Sequence, residues 1–246
     1  MVRHIPNIIT SLNILCGCVA ILFAVSGDLV TASFFVFTGI FFDFFDGLAA
    51  RWLKAQSEVG LQLDSLADVI TSGVAPAVVM VQLLSEAVHG AGIQSILGSS
   101  DSINWYSTKI SLWPLVGLLI AVGAAYRLAK FNVDTRQTES FIGLPTPANA
   151  IMILSLPLIL HFQYSDPLES IILNKWFLLG MTVFSCFIMN AEVRLFALKF
   201  KTWDLKSNGI RYLFVVLSVI AIVFLKFLAL PLLIVLYFLM SLFRKN

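Results

Sequence analysis

The sequence predicts an all-α protein, a polytopic membrane helical bundle of about eight transmembrane helices. Hydrophobic residues make up 59% of the 246 residues, charged residues only 12%, and the mean hydropathy is +0.93. Soluble domains average about 45–50% apolar and about 25% charged residues, and a soluble core of this size cannot bury the excess. No alternating pattern typical of a membrane β-barrel runs along the chain, so helices are the remaining way to cross a bilayer.

The apolar stretches have roughly the length of membrane helices, which need about 20 residues each. Lys226 and Pro231 divide the last stretch, which is too long for one helix and therefore predicts a hairpin of two short spans. The alternative is a single last span, seven in all, which would move only Arg244 and Lys245 to the other side of the membrane. Residues 85–108 are rich in Gly and Ser and predict a loop, with a short surface helix within it as an alternative, whereas 191–211 are basic. The predicted spans are 8–26, 30–52, 59–84, 109–131, 147–163, 171–190 and two within 212–243.

The distribution of basic residues predicts the orientation of these spans. With eight spans, both termini and all but three of the 16 Lys and Arg residues fall on one side of the membrane, the exceptions being Lys109, Lys175 and Lys226. Because cytoplasmic loops carry the excess of Lys and Arg, we expect both termini to face the cytoplasm. The loops are too short for a soluble domain, so we expect one integral membrane domain over residues 1–246, located in the cell membrane.

Four acidic residues lie within otherwise membrane-like sequence: Asp43, Asp46, Asp64 and Asp68. A carboxylate within a span costs about 2.5–3.5 kcal/mol on the insertion scale, so such residues usually serve a function. Asp43 and Asp46 share one face of their helix, and Asp64 and Asp68 share one face of the next. A turn at residues 54–58 would make the two helices antiparallel, with all four carboxylates directed at one another.

This set of carboxylates, with no soft ligands nearby, predicts a site for a hard divalent cation, Mg²⁺ or Mn²⁺, with two ions as the expected number. Such ions share their coordination with substrate phosphates, so phosphoryl transfer is the expected chemistry. The small residues Gly47, Ala50 and Gly60 on the same faces leave room for a ligand. Arg51 lies at the mouth of the predicted site, where it suits an anionic group.

These residues also carry a family resemblance. The pattern Asp43-x2-Asp46-Gly47-x2-Ala50-Arg51-x8-Gly60-x3-Asp64-x3-Asp68 resembles the signature of CDP-alcohol phosphatidyltransferases at all eight fixed positions. The resemblance implies that the protein is a membrane enzyme that displaces CMP from a CDP-linked lipid with a hydroxyl nucleophile. It also implies a six-helix catalytic core, here residues 1–190, followed by the basic loop and C-terminal helical hairpin at 191–246.

The resemblance further assigns roles to individual residues. The four aspartates resemble metal ligands, and Asp68 also resembles the general base that takes the proton from the alcohol. The CDP-lipid would contact the first two aspartates and the small residues beside them, with Arg51 near its phosphates. The implied CDP-lipid residues within the motif are Asp43, Asp46, Gly47, Ala50, Arg51 and Gly60.

Segments outside the motif are similar to the integral-membrane phosphatidylserine synthases within this family. They are residues 6–13, with the sequence PNIITSLN, and residues 126–132 and 141–148. This similarity implies CDP-diacylglycerol and L-serine as substrates, CMP as a product and a homodimer in the membrane lipid. Asn7, Thr10 and Asn13 form a polar stripe that would hydrogen-bond cytidine or its ribose, with helix capping and an interfacial position as the alternative.

Three residues are candidates for binding serine: Arg127, Asn132 and Thr146. A guanidinium gives bidentate geometry with a carboxylate, so Arg127 would bind that of serine, unless it is a cytoplasmic membrane anchor. Thr146 would touch serine or cap its helix. Glycerol 3-phosphate or an inositol compound remains an alternative acceptor, and a cation-coupled transporter remains an alternative function. A net charge of +2 gives no footprint for nucleic acid.

Overall fold

The computed structural model describes residues 4–93, 112–134, 142–193, 195 and 205–243. Every regular secondary-structure element in these ranges is a helix, as predicted. Five of the helices are long and apolar enough to cross a membrane, and a sixth span is present if one bent pair of helices is counted as a single span. The chain is an integral membrane protein with a helical-bundle fold.

The first two helices form an antiparallel hairpin. Helix α1 spans Ile5–Val25 and α2 spans Leu29–Trp52, close to the predicted limits. Gly27 adopts a φ of 88° in the turn, where a residue with a side chain would be strained. Asp28 caps α2 by accepting a hydrogen bond from the backbone N–H of Thr31 at 3.0 Å. This short connection holds the two helices side by side.

The third span is one long helical run with an irregular centre. Helix α3 spans Glu58–Asp68, a π-helical segment spans Val69–Val74, and α4 spans Ala75–His89. The run is the most buried of the candidate spans and lies at the centre of the bundle. The predicted loop from residue 85 is therefore wrong over its first residues, because the helix ends only where Gly90 adopts a φ of 68°. Residues 94–108 of that prediction lie outside the described ranges.

The next spans follow the predicted order. Helix α5 spans Leu119–Val133, extending a 3₁₀ segment, Trp113–Leu118, and α6 spans Thr146–Phe162. The sixth predicted span, 171–190, is broken: α7 spans Asp166–Ile172, α8 spans Lys175–Asn190, and the two are bent by 57°. The break has a local cause, since the Asn174 side chain accepts a hydrogen bond from the Trp176 N–H and starts a new helix.

The C-terminal apolar block folds back on itself as predicted. Helix α9 spans Leu205–Leu225, and a 3₁₀ segment, Lys226–Leu228, leads into α10, Ala229–Phe243. The rings of Phe214 and Tyr237 are 5.5 Å apart, which a straight helix would not allow. Lys226 adopts a φ of 49° at the reversal. Helix α9 begins at Leu205, so the prediction of a basic loop over 191–211 is wrong for its last residues.

The apolar segments thus correspond in order to the eight predicted spans, although fewer of them meet the length of a full span alone. Helix α6 has 17 residues and counts as a shorter apolar helix. It packs with α4 in the centre of the bundle, where Leu83, Leu84 and Leu154 are fully buried. The C-terminal hairpin is mostly exposed on the outside, as a surface in contact with lipid would be.

Candidate active site

Two helices bring the predicted carboxylates together. Asp43 and Asp46 lie on α2 and Asp64 lies on α3, and one carboxylate oxygen from each falls within 4.8 Å of the others. The connection between the helices is tight: the Ala55 N–H bonds the Ala50 carbonyl at 2.9 Å, and the Ser57 hydroxyl accepts from the Gly60 N–H at 3.0 Å. This capped turn fixes α3 antiparallel to α2, so that the two acidic faces meet.

Asp68 lies one turn further along α3, just before the π-helical segment. Its carboxylate is close enough to Asp43, Asp64 and Arg127 for their charges to interact. The ligand oxygens gathered within 4.8 Å come from the other three aspartates, so Asp68 lies beside this group instead of completing it. The predicted role of Asp68 as a metal ligand stays a prediction.

The donor set fits a divalent metal ion. Three carboxylates at this spacing repel one another unless a cation or protons neutralise them. Carboxylate oxygens are the ligands that Mg²⁺ and Mn²⁺ prefer, and the half-buried position of the group limits screening by water. The structure is therefore consistent with the use of a divalent metal.

A cavity of about 640 Å³ opens beside the carboxylates, at the end of the bundle where α1 begins and α2 ends. It contains most of the residues predicted for the CDP-lipid: Asn7, Thr10, Asp46, Gly47, Ala50, Arg51 and Gly60. Asn13 and Asp43 are absent from its lining. Asp64, predicted as a metal ligand, also lines it. So do residues for which the sequence predicted no role in the site: Pro6, Ala55, Gln56, Ser57, Glu58 and Leu61. Ala55, Gln56 and Ser57 belong to the turn between the two motif helices, so this turn forms part of the cavity wall.

The small residues of the motif leave real space in this cavity. A Cβ atom added at Gly47 would meet no other atom within 4 Å, so this face of α2 is open to a ligand. The Arg51 Nε donates to the Gly47 carbonyl at 3.0 Å, which holds the exposed guanidinium at the cavity rim. A Cβ at Gly60 would approach the Asn7 amide oxygen at 3.1 Å, so Gly60 lets α1 and α3 come close.

The three residues of the polar stripe on α1 differ in their surroundings, and two of them, Asn7 and Thr10, line the cavity. Thr10 is only 3% exposed, and its hydroxyl lies 2.5 Å from the Asp46 carboxylate. Asn13 is fully buried below the cavity, with no hydrogen-bond partner for its side chain, while its carbonyl accepts from the Thr71 hydroxyl at 3.1 Å. Asn7 borders the cavity. Of the stripe, Asn7 is therefore the residue best placed to touch a ligand.

Arg127, the first of the serine-binding candidates, is a buried arginine with an unpaired donor. Its side chain is 7% exposed, and its Nε has no hydrogen-bond partner in the protein. Lys130, one turn later on α5, forms an ion pair with Glu192 at 3.1 Å. An arginine buried beside Asp68 with an unused donor is unusual, because buried charged groups are normally fully paired.

The other two candidates differ from each other. The Asn132 amide donates to the Ser65 hydroxyl at 2.9 Å, so it links α5 to α3 within the protein. Thr146 is fully buried at the start of α6, and its hydroxyl has no partner. Asn149, one turn later, accepts a hydrogen bond from Ser185 and has an unpaired amide nitrogen. No local sequence pattern marked Asn149 as a candidate site residue, because the residues around it come from helices distant along the chain.

Comparison with known proteins identifies the family of this chain. The family model for CDP-alcohol phosphatidyltransferase matches residues 3–189, which include all four aspartates. A CDP-diacylglycerol–serine O-phosphatidyltransferase of Bacillus subtilis is 34% identical over 173 residues, covering 69% of this chain and 81% of the relative. A protein of the same name from Helicobacter pylori is 30% identical over 206 residues, covering 82% of this chain and 75% of the relative.

An archaeal relative extends the comparison. The archaetidylserine synthase of Methanothermobacter thermautotrophicus is 32% identical over 154 residues, covering 61% of this chain and 56% of the relative. The family match over most of the chain and the paired acidic faces of α2 and α3 lead to the same conclusion. This chain belongs to the CDP-alcohol phosphatidyltransferase family.

Proposed function

We propose that this protein is a phosphatidylserine synthase, which transfers the phosphatidyl group of CDP-diacylglycerol to the hydroxyl of L-serine and releases CMP. The observation that carries the proposal is the meeting of Asp43, Asp46 and Asp64 within 4.8 Å beside a cavity of about 640 Å³. Family membership supports the reaction type. The names of the bacterial relatives support serine as the acceptor and CDP-diacylglycerol as the donor.

In this proposal the aspartates Asp43, Asp46, Asp64 and Asp68 hold Mg²⁺ or Mn²⁺, with two ions as the expected number. Bound ions would neutralise the carboxylates and withdraw charge from the diphosphate of the lipid. The motif residues of the cavity hold the CDP group, with Arg51 at the rim beside the phosphates and Asn7 beside the nucleoside. The diacylglycerol tails extend from the cavity into the bilayer.

The proposed transfer is a direct displacement at phosphorus. The hydroxyl oxygen of serine forms a bond to the phosphorus that bears diacylglycerol, the bond from that phosphorus to the CMP oxygen breaks, and CMP leaves with the electron pair. The proton of the hydroxyl passes to the carboxylate of Asp68, which acts as the general base. The place of Asp68, beside the three gathered carboxylates and near Arg127, supports this assignment.

Serine is proposed to bind with its carboxylate on Arg127, because a buried guanidinium with a free donor suits a carboxylate. Its position near Asp68 would bring the serine hydroxyl towards the base. Thr146, whose buried hydroxyl has no partner, is a second proposed contact. Asn132 is proposed to contribute indirectly, since its amide is already bonded to Ser65.

The setting of the reaction is also a proposal. The catalytic core would comprise residues 1–190, which agrees with the extent of the family match, 3–189. We place the site on the cytoplasmic face of the cell membrane, because the basic residues of the sequence favour that orientation. A homodimer is proposed on the resemblance to the family alone.

The test is CMP release by purified protein in detergent from CDP-diacylglycerol, with L-serine, glycerol 3-phosphate or inositol as the acceptor. The proposal predicts release with serine that stops when a chelator removes divalent metal. Release with another acceptor in place of serine would keep the site and refute the acceptor. No release with any acceptor, from protein shown to be folded, would refute the enzyme and favour the ion-coupled transporter.

A further inference from the structure

We propose that Thr10 is a positioning residue for the metal site: its hydroxyl holds Asp46 in the geometry that binds the cation, and it does not contact the CDP-lipid. The Thr10 hydroxyl oxygen lies 2.5 Å from Oδ2 of Asp46, across the interface between α1 and α2. The inference deepens the proposed function and rests on its metal site. It concerns a residue that the sequence predicted to bind the substrate instead.

The hydroxyl has one proton and two acceptors within reach. Besides Asp46, the Pro6 carbonyl lies 3.0 Å away in the preceding turn of α1. A hydrogen bond to an ionised carboxylate is about twice as strong as one to a neutral carbonyl, so the proton is directed to Asp46 when Asp46 is ionised. That is the form in which a carboxylate binds a metal ion.

Burial argues against direct contact with the lipid substrate. Thr10 is 3% exposed although it borders the cavity, and its single donor is already used. A ligand would have to displace the bond to Asp46 to receive that proton. Asn7, one turn nearer the start of α1, is less buried and is available to a ligand in the same cavity.

Packing keeps Thr10 at this place. Three residues later on α1, the Asn13 carbonyl accepts a hydrogen bond from the Thr71 hydroxyl at 3.1 Å, which ties α1 to the π-helical segment. Gly17 and Gly39 face Thr71 so closely that a Cβ at either would collide with it. Helices α1 and α2 therefore cannot shift easily along each other, and the Thr10 hydroxyl remains level with Asp46.

The consequence is that Asp46 is preorganised as a metal ligand. The bond from Thr10 fixes the rotamer of Asp46, while the lone pairs that Thr10 does not use remain free for a cation. Outer partners of this kind orient metal ligands, and their loss typically lowers metal affinity or activity by about 10- to 100-fold. We expect Thr10→Val, which keeps the shape and removes the hydroxyl, to lose affinity in this range.

The experiment is a titration of the purified full chain with Mn²⁺ alone, followed by electron paramagnetic resonance of the free ion. Thr10→Val should raise the Mn²⁺ dissociation constant about 10-fold or more, and Thr10→Ser should restore a value near that of the wild type. Thr182→Val is the matched control, because Thr182 is a fully buried threonine bonded to the carbonyl four residues earlier on α8. Thr10→Ala serves as the second variant if Thr10→Val does not fold.

The outcomes separate the inference from the proposed function. Equal Mn²⁺ affinity in wild type, Thr10→Val and Thr10→Ala would overturn the positioning role while leaving the metal site intact. Unchanged Mn²⁺ affinity with weaker CMP binding in the absence of metal would make Thr10 a substrate contact. A wild-type protein that binds no Mn²⁺ would refute the metal site of the proposed function, and the inference with it. None of these three results depends on which acceptor the enzyme uses.

Discussion

Replacing Arg127 with methionine tests how the acceptor is recognised. Arg127 is 7% exposed, and its Nε has no hydrogen-bond partner within the protein. Replacing the side chain therefore breaks no hydrogen bond from Nε. If Arg127 binds the serine carboxylate, the variant loses a charge-assisted hydrogen bond worth about 1.5–3 kcal/mol. Since 1.4 kcal/mol is a factor of ten, kcat/KM for serine should fall about 10- to 100-fold, mainly through KM.

The assay is CMP release at varied serine concentration, repeated with ethanolamine as the competing acceptor or inhibitor. Ethanolamine has the hydroxyl and ammonium groups of serine and lacks the carboxylate, so its interaction should be nearly unchanged in Arg127→Met. Lys130→Met is the control on the same helix, because Lys130 already pairs with Glu192 and its side chain is 31% exposed. We expect that variant to behave like the wild type.

Two results would refute this reasoning. An equal loss for serine and ethanolamine would mean that Arg127 supports the fold or the base instead of the carboxylate. A lower kcat with an unchanged KM for serine would mean that Arg127 acts through Asp68, whose charge it already influences.

Three further variants test other parts of the account. Asp68→Asn should abolish CMP release and leave binding of CDP-diacylglycerol largely intact; loss of both would show that Asp68 is chiefly a metal ligand. Asp43→Ala should weaken Mn²⁺ binding, and unchanged affinity together with unchanged metal dependence would contradict the site. Gln82→Leu removes bonds of 2.9 and 3.0 Å to the carbonyls of Ala24 and Val25 at the end of α1. It should cost about 1–3 kcal/mol, lowering the unfolding temperature in detergent without changing the KM for serine, and an unaltered melting curve would contradict this.

The parts of the fold set by local patterns were predictable. Helices α1 and α2 begin and end within a few residues of the prediction, because Gly27 and Asp28 interrupt a long apolar run. The meeting of Asp43 with Asp64 followed from helical periodicity and one short turn. Both inferences need only the geometry of a helix and the cost of a carboxylate in a membrane.

Features that depend on distant residues were not predictable. The π-helical segment Val69–Val74 packs against α1 and α5, and no local pattern distinguishes it from an ordinary helix. Helix α4 continues past Ser85 because long-range bonds of Gln82 and the turn at Gly90 place its end later. The spacing of Thr10 placed it on the correct face of α1, but its bond to Asp46 depends on how two helices are aligned.

The most direct test of the central claim follows the oxygen atom of the acceptor. The protein is incubated with CDP-diacylglycerol, divalent metal and L-serine labelled with ¹⁸O in its hydroxyl, and the lipid product is analysed by mass spectrometry. The account predicts phosphatidylserine that retains the label, with one CMP released for each molecule formed, and no such product from Asp68→Asn. Phosphatidylserine without the label, or CMP released without phosphatidylserine, would contradict transfer to the serine hydroxyl.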